Sequence, residues 1–280
     1  MRIWIASSAE KLAELNLDAT VEAEYGSVLV EGKLLTLAHH GERAHNPAPC
    51  VATVEPNQVE TIGLSHFDLD TLGGVMVVTK HPAAYPNHAG FWELAAFVDV
   101  NGAHRLCQAE ASEEDIRALQ AFWAWSTSNR YFPPRDGTAV DCTEFLQKAT
   151  EVITAILDGD ESLLTAGDAN AVKQAELEVQ SFLRWHGNVL VREADAFVNH
   201  LYEHEGHVAQ AVIAFNTKTK AITVSAENPS VPLNCCALVQ ELWGPEAGGH
   251  KGIAGSPRNV EMTEADFEAT INATNQVLLG

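Results

Sequence analysis

The segment Leu64-Ser65-His66-Phe67-Asp68-Leu69-Asp70 carries one imidazole and two carboxylates at alternate positions. Alternate side chains of an extended chain point the same way, so His66, Asp68 and Asp70 are expected to converge where a strand gives way to a loop. One His and two Asp suit a divalent ion such as Mn²⁺, Fe²⁺ or Zn²⁺. Gly73 and Gly74 follow and are expected to let the backbone turn tightly beneath the site. A competing reading is local: Asp is a frequent helix N-cap, and these residues would then cap the next helix.

Two further segments place ligand-type residues after apolar runs. Asp99 and His104 follow one such run, and His39-His40 close another. Seven of the twelve histidines lie between positions 39 and 104. Asp99 and His40 therefore join the expected metal set, with the choice between His39 and His40 left open. His104 is expected to complete the shell or to move protons. His45, His81 and His88 read as solvated or structural.

A second kind of chemistry is written near the C-terminus. The stretch 244–255 contains five glycines and leads through His250 and Lys251 to Arg258. Glycines allow positive φ and close backbone approach, so their amides can form an anion-binding nest. Gly248, Gly249, His250 and Arg258 are the expected substrate-binding residues. A plain turn or surface loop is the alternative.

Composition narrows the partners. The chain has 17 Lys and Arg against 38 Asp and Glu, a formal charge of −21. Polynucleotide binding depends on neutralising phosphates with cations, so no long nucleic acid is expected. A small anionic substrate remains compatible, because bound metal inverts the local field. No run reaches the roughly 20 apolar residues of a membrane span, so no membrane partner is expected. Positions 1–15 have too short an apolar run for a signal peptide. Five cysteines with no Cys-x-x-Cys pair read as reduced thiols, which points to the cytoplasm. A homodimer is left open.

The elements that must position these residues read as α/β. Apolar runs at 3–6, 27–30, 34–38, 61–64, 75–78 and 97–100 look like strands with polar residues at their ends. Ligands of open α/β sheets bind at that edge. From Ser112, whose side chain can cap with Asp115, the pattern turns helical, with a second helix across 145–156. The polar stretch 158–168 is the linker candidate, and a helix over about 169–183 continues the connection. A hairpin over 211–225, a helix through Leu238 and Leu242, and a helix capped by Thr263 and Asp266 complete the chain. The expectation is an N-terminal α/β domain with a mainly parallel sheet over 1–165, a connecting helix over 166–188, and a smaller α+β substrate domain over 189–280.

Together these motifs resemble the DHH phosphoesterase superfamily, which includes RecJ-like nucleases, oligonucleotide and cyclic-dinucleotide phosphodiesterases, and pyrophosphatases. His66-x-Asp68-x-Asp70 looks like the first family motif, which supplies ligands to two Mn²⁺ ions. The run from Gly248 to Gly255 looks like the glycine–histidine motif of the family's C-terminal domain, whose histidine contacts the scissile phosphate. No Asp-His-His string is present, and His39-His40 precede the first motif instead of following it. The resemblance implies a metal-dependent hydrolase with one or two divalent ions, Mn²⁺ in this family's usage, acting on a phosphoester in a cleft between two domains. A metal-activated water attacks, and His250 and Arg258 stabilise the developing charge. Cleavage of a C–N or ester bond, and a non-catalytic ligand-binding member of the same fold, are the alternatives.

Overall fold

The computed structural model describes residues 1–55 and 58–280, with the side chains of 41, 104, 107, 175 and 177–180 outside the described set. The fold is α/β, with a mainly parallel sheet in one compact unit and a mixed sheet in another.

The first unit comprises Met1–Glu24, Leu29–Asp99 and Arg105–Gln174. The strands of its main sheet are β1 (Arg2–Ile5), β2 (Ala19–Val21), β3 (Leu35–Leu37), β4 (Thr61–Leu64) and β5 (Val140–Asp141), in the order β3-β2-β4-β1-β5. The first four are parallel, and β5 joins β1 antiparallel. The register pairs Val21 with both Leu37 and Leu64, and Leu64 with Ile5. Four parallel strands therefore finish in one row, and whatever follows them emerges along one edge.

The helices are α1 (Ala9–Ala13), α2 (Leu69–Val78), α3 (Ala89–Asn101), α4 (Glu113–Ser128), α5 (Thr143–Leu157) and α6 (Glu161–Gln180). Ser112 caps α4 by accepting from the Asp115 amide, as its sequence position implies. All ten residues of α2 are buried, against a core that includes Leu64, Met76, Trp92 and Phe122. Each such fully buried large side chain contributes about 1.5–3 kcal/mol.

Three sequence expectations are corrected here. The runs 75–78 and 97–100 are helical, within α2 and α3, not strands. A helix enclosed on every side shows no amphipathic period, so Val75-Met76-Val77-Val78 imitates a buried strand. The stretch 158–168 is no linker either. Only Asp158 to Asp160 separate α5 from α6, and the Asp160 carboxylate accepts from the amides of Ser162 and Leu163.

The second unit comprises Tyr25–Val28, Val100–His104 and Ala175–Gly280. The strands of its main sheet are β6 (Phe182–His186), β7 (Val189–Ala194), β8 (Ala211–Asn216), β9 (Ala221–Ala226), β10 (Gly248–Gly249) and β11 (Ile253–Gly255), in the order β10-β11-β9-β8-β7-β6. The expected hairpin is β8–β9, paired from Ala211 with Ala226 to Asn216 with Ala221. Helices α7 (Cys235–Trp243) and α8 (Glu264–Leu279) cover one sheet face through Leu238, Val239, Phe267 and Ile271. Thr263 and Asp266 form the capping box of α8.

Candidate metal centre

Three neighbouring strands deliver the site. Glu22 follows β2 directly, His39 and His40 follow β3, and Ser65 and His66 follow β4. Because β3, β2 and β4 are adjacent and end level, these side chains meet at the carboxyl edge of the sheet. Helix α2 brings Asp70 from its first turn, and the last turn of α3 brings Asp99.

His39 is the centre of one group. Its Nε2 lies 3.3 Å from Asp70 Oδ2, 3.2 Å from Asp99 Oδ2 and 3.7 Å from Glu22 Oε1. His40 is the centre of a second. Its Nδ1 bonds Glu24 Oε2 at 2.9 Å and lies 2.7 Å from Glu22 Oε2. The donor atoms of Glu22, His39 and Asp70 lie within 4.8 Å of one another, and so do those of Glu22, Glu24 and His40. Glu22 belongs to both groups, with one oxygen turned towards each imidazole.

Both oxygens of Glu22 and Oδ2 of Asp70 are buried, and the contacts they make with the His39 and His40 rings fall short of well-formed hydrogen bonds. A buried carboxylate oxygen left in this state costs free energy unless a cation is near. The Glu22 backbone adds to that cost. Its φ of +50° is in the left-handed region, rare for a residue with a Cβ and enriched at functional sites. The neighbouring structure holds it there: the Glu22 amide donates to the Leu37 carbonyl at 2.9 Å, and the buried Ser65 hydroxyl donates to the Glu22 carbonyl.

The charges shift one another strongly. Burial pushes the Asp70 carboxyl up, the carboxylates of Asp99, Glu22 and Asp68 add to this against the opposing His39 bond, and the result is about 6. Burial alone would lower His39, but Asp70, Asp99 and Glu22 outweigh it and raise it to about 11. The same contest, with Glu22 and Glu24 as partners, raises His40 to about 10. Imidazoles raised in this way by surrounding carboxylates mark a place where the electrostatics would favour a cation, and a divalent ion could supply the same charge more compactly.

The sequence-derived residues fall into three sets. Asp70, Asp99 and the His39-His40 pair come together, with His39, not His40, on Asp70. His66 and Asp68 pair with each other: His66 Nε2 lies 2.8 Å from Asp68 Oδ2, and Ser65 Oγ lies 2.9 Å from His66 Nδ1. The expected extended alternation through Asp70 is corrected, because α2 starts at Leu69 and Asp68 is its N-cap, accepting from the Thr71 amide at 2.8 Å. Gly73 and Gly74 are likewise inside α2, not in a turn. They permit close packing: a Cβ on Gly73 would fall 2.4 Å from Cys50 Cβ, and one on Gly74 2.6 Å from Val21 Cγ1.

The third set belongs to the second unit. Gly248 and Gly249 form β10, paired with Gly255 and Ala254 of β11. His250 is in the turn between these strands, and its amide donates to the Ile253 carbonyl at 2.7 Å. Much of the expected amide nest is thus engaged in a hairpin ladder. The glycines still have a steric reason, since a Cβ on Gly248 would lie 2.8 Å from Gly26 Cα. Arg258 exerts a charge effect on buried Tyr25 of the same unit. His104 falls in a 3₁₀ turn, Ala103–Gln108, and its side chain lies outside the described residues.

Glu22 and Glu24 are absent from the sequence expectations. The signal existed: Val21-Glu22-Ala23-Glu24 alternates acid with apolar residues after a short apolar run, the same pattern that singled out residues 66–70. A three-residue strand was too short to mark the run. Comparison with protein-family models gave no match, and no curated protein matched the chain.

Proposed function

We propose that the chain is a metal-dependent hydrolase of a small anionic substrate, with a phosphoester as the bond cleaved. The observation that carries this reading is the set of buried Glu22 and Asp70 oxygens gathered against two imidazoles at the carboxyl edge of the sheet, with no well-formed hydrogen bond among the described residues. Glu22, His39, Asp70 and Asp99 would hold one ion, and Glu22, Glu24 and His40 a second. Mn²⁺ fits this mixed imidazole and carboxylate set. Such an ion, when bound, acidifies water and neutralises negative charge on the group attacked.

The remaining residues have supporting tasks. Asp68 and Ser65 contact the two ring nitrogens of His66, Nε2 and Nδ1, and so fix the orientation of the ring. The Cys50 amide donates to Asp70 Oδ1 at 2.8 Å and orients that carboxylate. The resemblance to the DHH phosphoesterases favours phosphorus over carbon as the centre attacked. No described helix is long and apolar enough to cross a membrane. The free thiols of Cys50, Cys142, Cys235 and Cys236 favour a reducing compartment, the cytoplasm.

The test is hydrolysis of bis(p-nitrophenyl) phosphate and of p-nitrophenyl acetate by protein loaded with Mn²⁺. The reading expects metal-dependent release from the phosphodiester that is lost in Asp70→Asn. Release from the acetate alone would move the activity to esters. Metal uptake with neither activity would contradict a hydrolase.

A further inference from the structure

We infer that Arg43 is an oxyanion-binding residue of this site, whose guanidinium grips the phosphoryl oxygens of the substrate. The inference rests on the proposed hydrolase reading and names how its substrate is held.

Arg43 is tied to the ligand-bearing turn. Its amide donates to the His40 carbonyl at 2.9 Å, and its carbonyl accepts from the Asn46 amide at 2.8 Å. The Asn46 side chain in turn donates to the Ala38 carbonyl at 2.9 Å. The backbone of Arg43 is therefore fixed relative to His39 and His40, the two imidazoles of the cluster.

The side chain reaches back to the cluster without being absorbed by it. Its Nη1 lies 3.6 Å from Glu24 Oε1, the only ion pair it makes among the described residues, and a third of the side chain is exposed. Glu24 Oε2 already accepts from both the amide and the ring Nδ1 of His40. A guanidinium presents five N–H donors in a planar fork matched to two oxygens of a phosphate. Neutralising Glu24 at 3.6 Å occupies few of them.

The field around the site gives these donors a purpose. Glu22, Glu24, Asp68, Asp70 and Asp99 repel an incoming anion. Arg43 is a permanent cation at the rim of that cluster, and charge-assisted, two-pronged bonds to a phosphoryl group are strong and directional. A residue that merely offsets Glu24 would instead act on metal affinity.

The experiment is titration calorimetry of inorganic phosphate into Mn²⁺-loaded wild type, Arg43→Gln and Arg43→Lys, with metal content measured on the same samples. The expected result is phosphate binding about tenfold or more weaker in Arg43→Gln, with Mn²⁺ content unchanged. Arg43→Lys should fall between, and added guanidinium should restore part of the Arg43→Gln turnover on bis(p-nitrophenyl) phosphate. Unchanged phosphate affinity in both variants overturns the inference, as does a loss that only follows lost Mn²⁺. Wild type that takes up Mn²⁺ yet binds no phosphate overturns it too. Wild type that takes up no Mn²⁺ overturns the hydrolase reading first, and the inference with it.

Discussion

Cys50 donates its backbone amide to Oδ1 of Asp70 at 2.8 Å, and so close an approach needs a helix with no side chain at Gly73. The 3₁₀ turn Pro49–Val51 presses on α2 at that point. A Cβ on Gly73 would meet Cys50 Cβ at 2.4 Å and Trp92 at 2.7 Å. Alanine in a helix is normally about 1 kcal/mol better than glycine. Here overpacking reverses the sign, and Gly73→Ala should destabilise by about 1–3 kcal/mol. Urea unfolding checks this, and a stabilised variant would show that the turn moves away freely.

Acidity gives a second prediction, for protein stripped of metal. Asp70 is raised from 3.8 to about 6, so between those values the folded chain holds a proton that the unfolded chain releases. Stability contributed by this group therefore falls as pH rises across that window. Asp70→Asn removes the effect. Wild type should lose stability relative to the variant from pH 3.8 to about 6. Unfolding midpoints of both proteins at several pH values decide it, and a constant difference would contradict the burial argument.

The imidazoles extend the same sign upward. His39 and His40 are raised from 6.5 to about 11 and about 10. Their stabilisation is complete below 6.5 and lost as pH rises through the folded values. The metal-free wild type should weaken between pH 7 and 10 more than a His39→Gln, His40→Gln double variant does. Parallel profiles would mean that the rings are already neutral at pH 7.

The second unit depends on a buried cation. Arg192 on β7 is fully buried and donates to the Leu201 carbonyl at 2.8 Å, the Ser181 hydroxyl at 2.8 Å and the Glu203 carbonyl at 3.1 Å. Replacing it strands three acceptors at once. Arg192→Met should cost at least about 3 kcal/mol, given about 1–3 kcal/mol for each buried group left unpaired. A loss under about 1 kcal/mol by urea unfolding would show that water takes over these contacts.

The sequence made the α/β class, the β8–β9 hairpin and the caps of α4 and α8 legible, because local hydrogen bonding and short apolar runs specify them. It misled at Val75-Met76-Val77-Val78, where complete burial erases the helical period. The site was half legible. Asp70 and Asp99 stand both in the expected set and in the cluster, yet by another route, since both arrive on helices and not at strand ends. Asp68 does what the cap reading expected of it. Glu22 was missed because its role depends on β2 lying between β3 and β4, a long-range order that no local pattern encodes.

The central claim is that Glu22 and its neighbours form a cation site. The most direct measurement is elemental analysis of wild type and Glu22→Gln after equilibrium dialysis against Mn²⁺. Gln keeps the size of the side chain and removes its charge, so packing is conserved while the shared carboxylate is lost. The account predicts at least about one ion per wild-type chain, for a set of three or four imidazole and carboxylate donors, and loss of most of it in the variant. Wild type with no bound metal, or a variant with full occupancy, would contradict it.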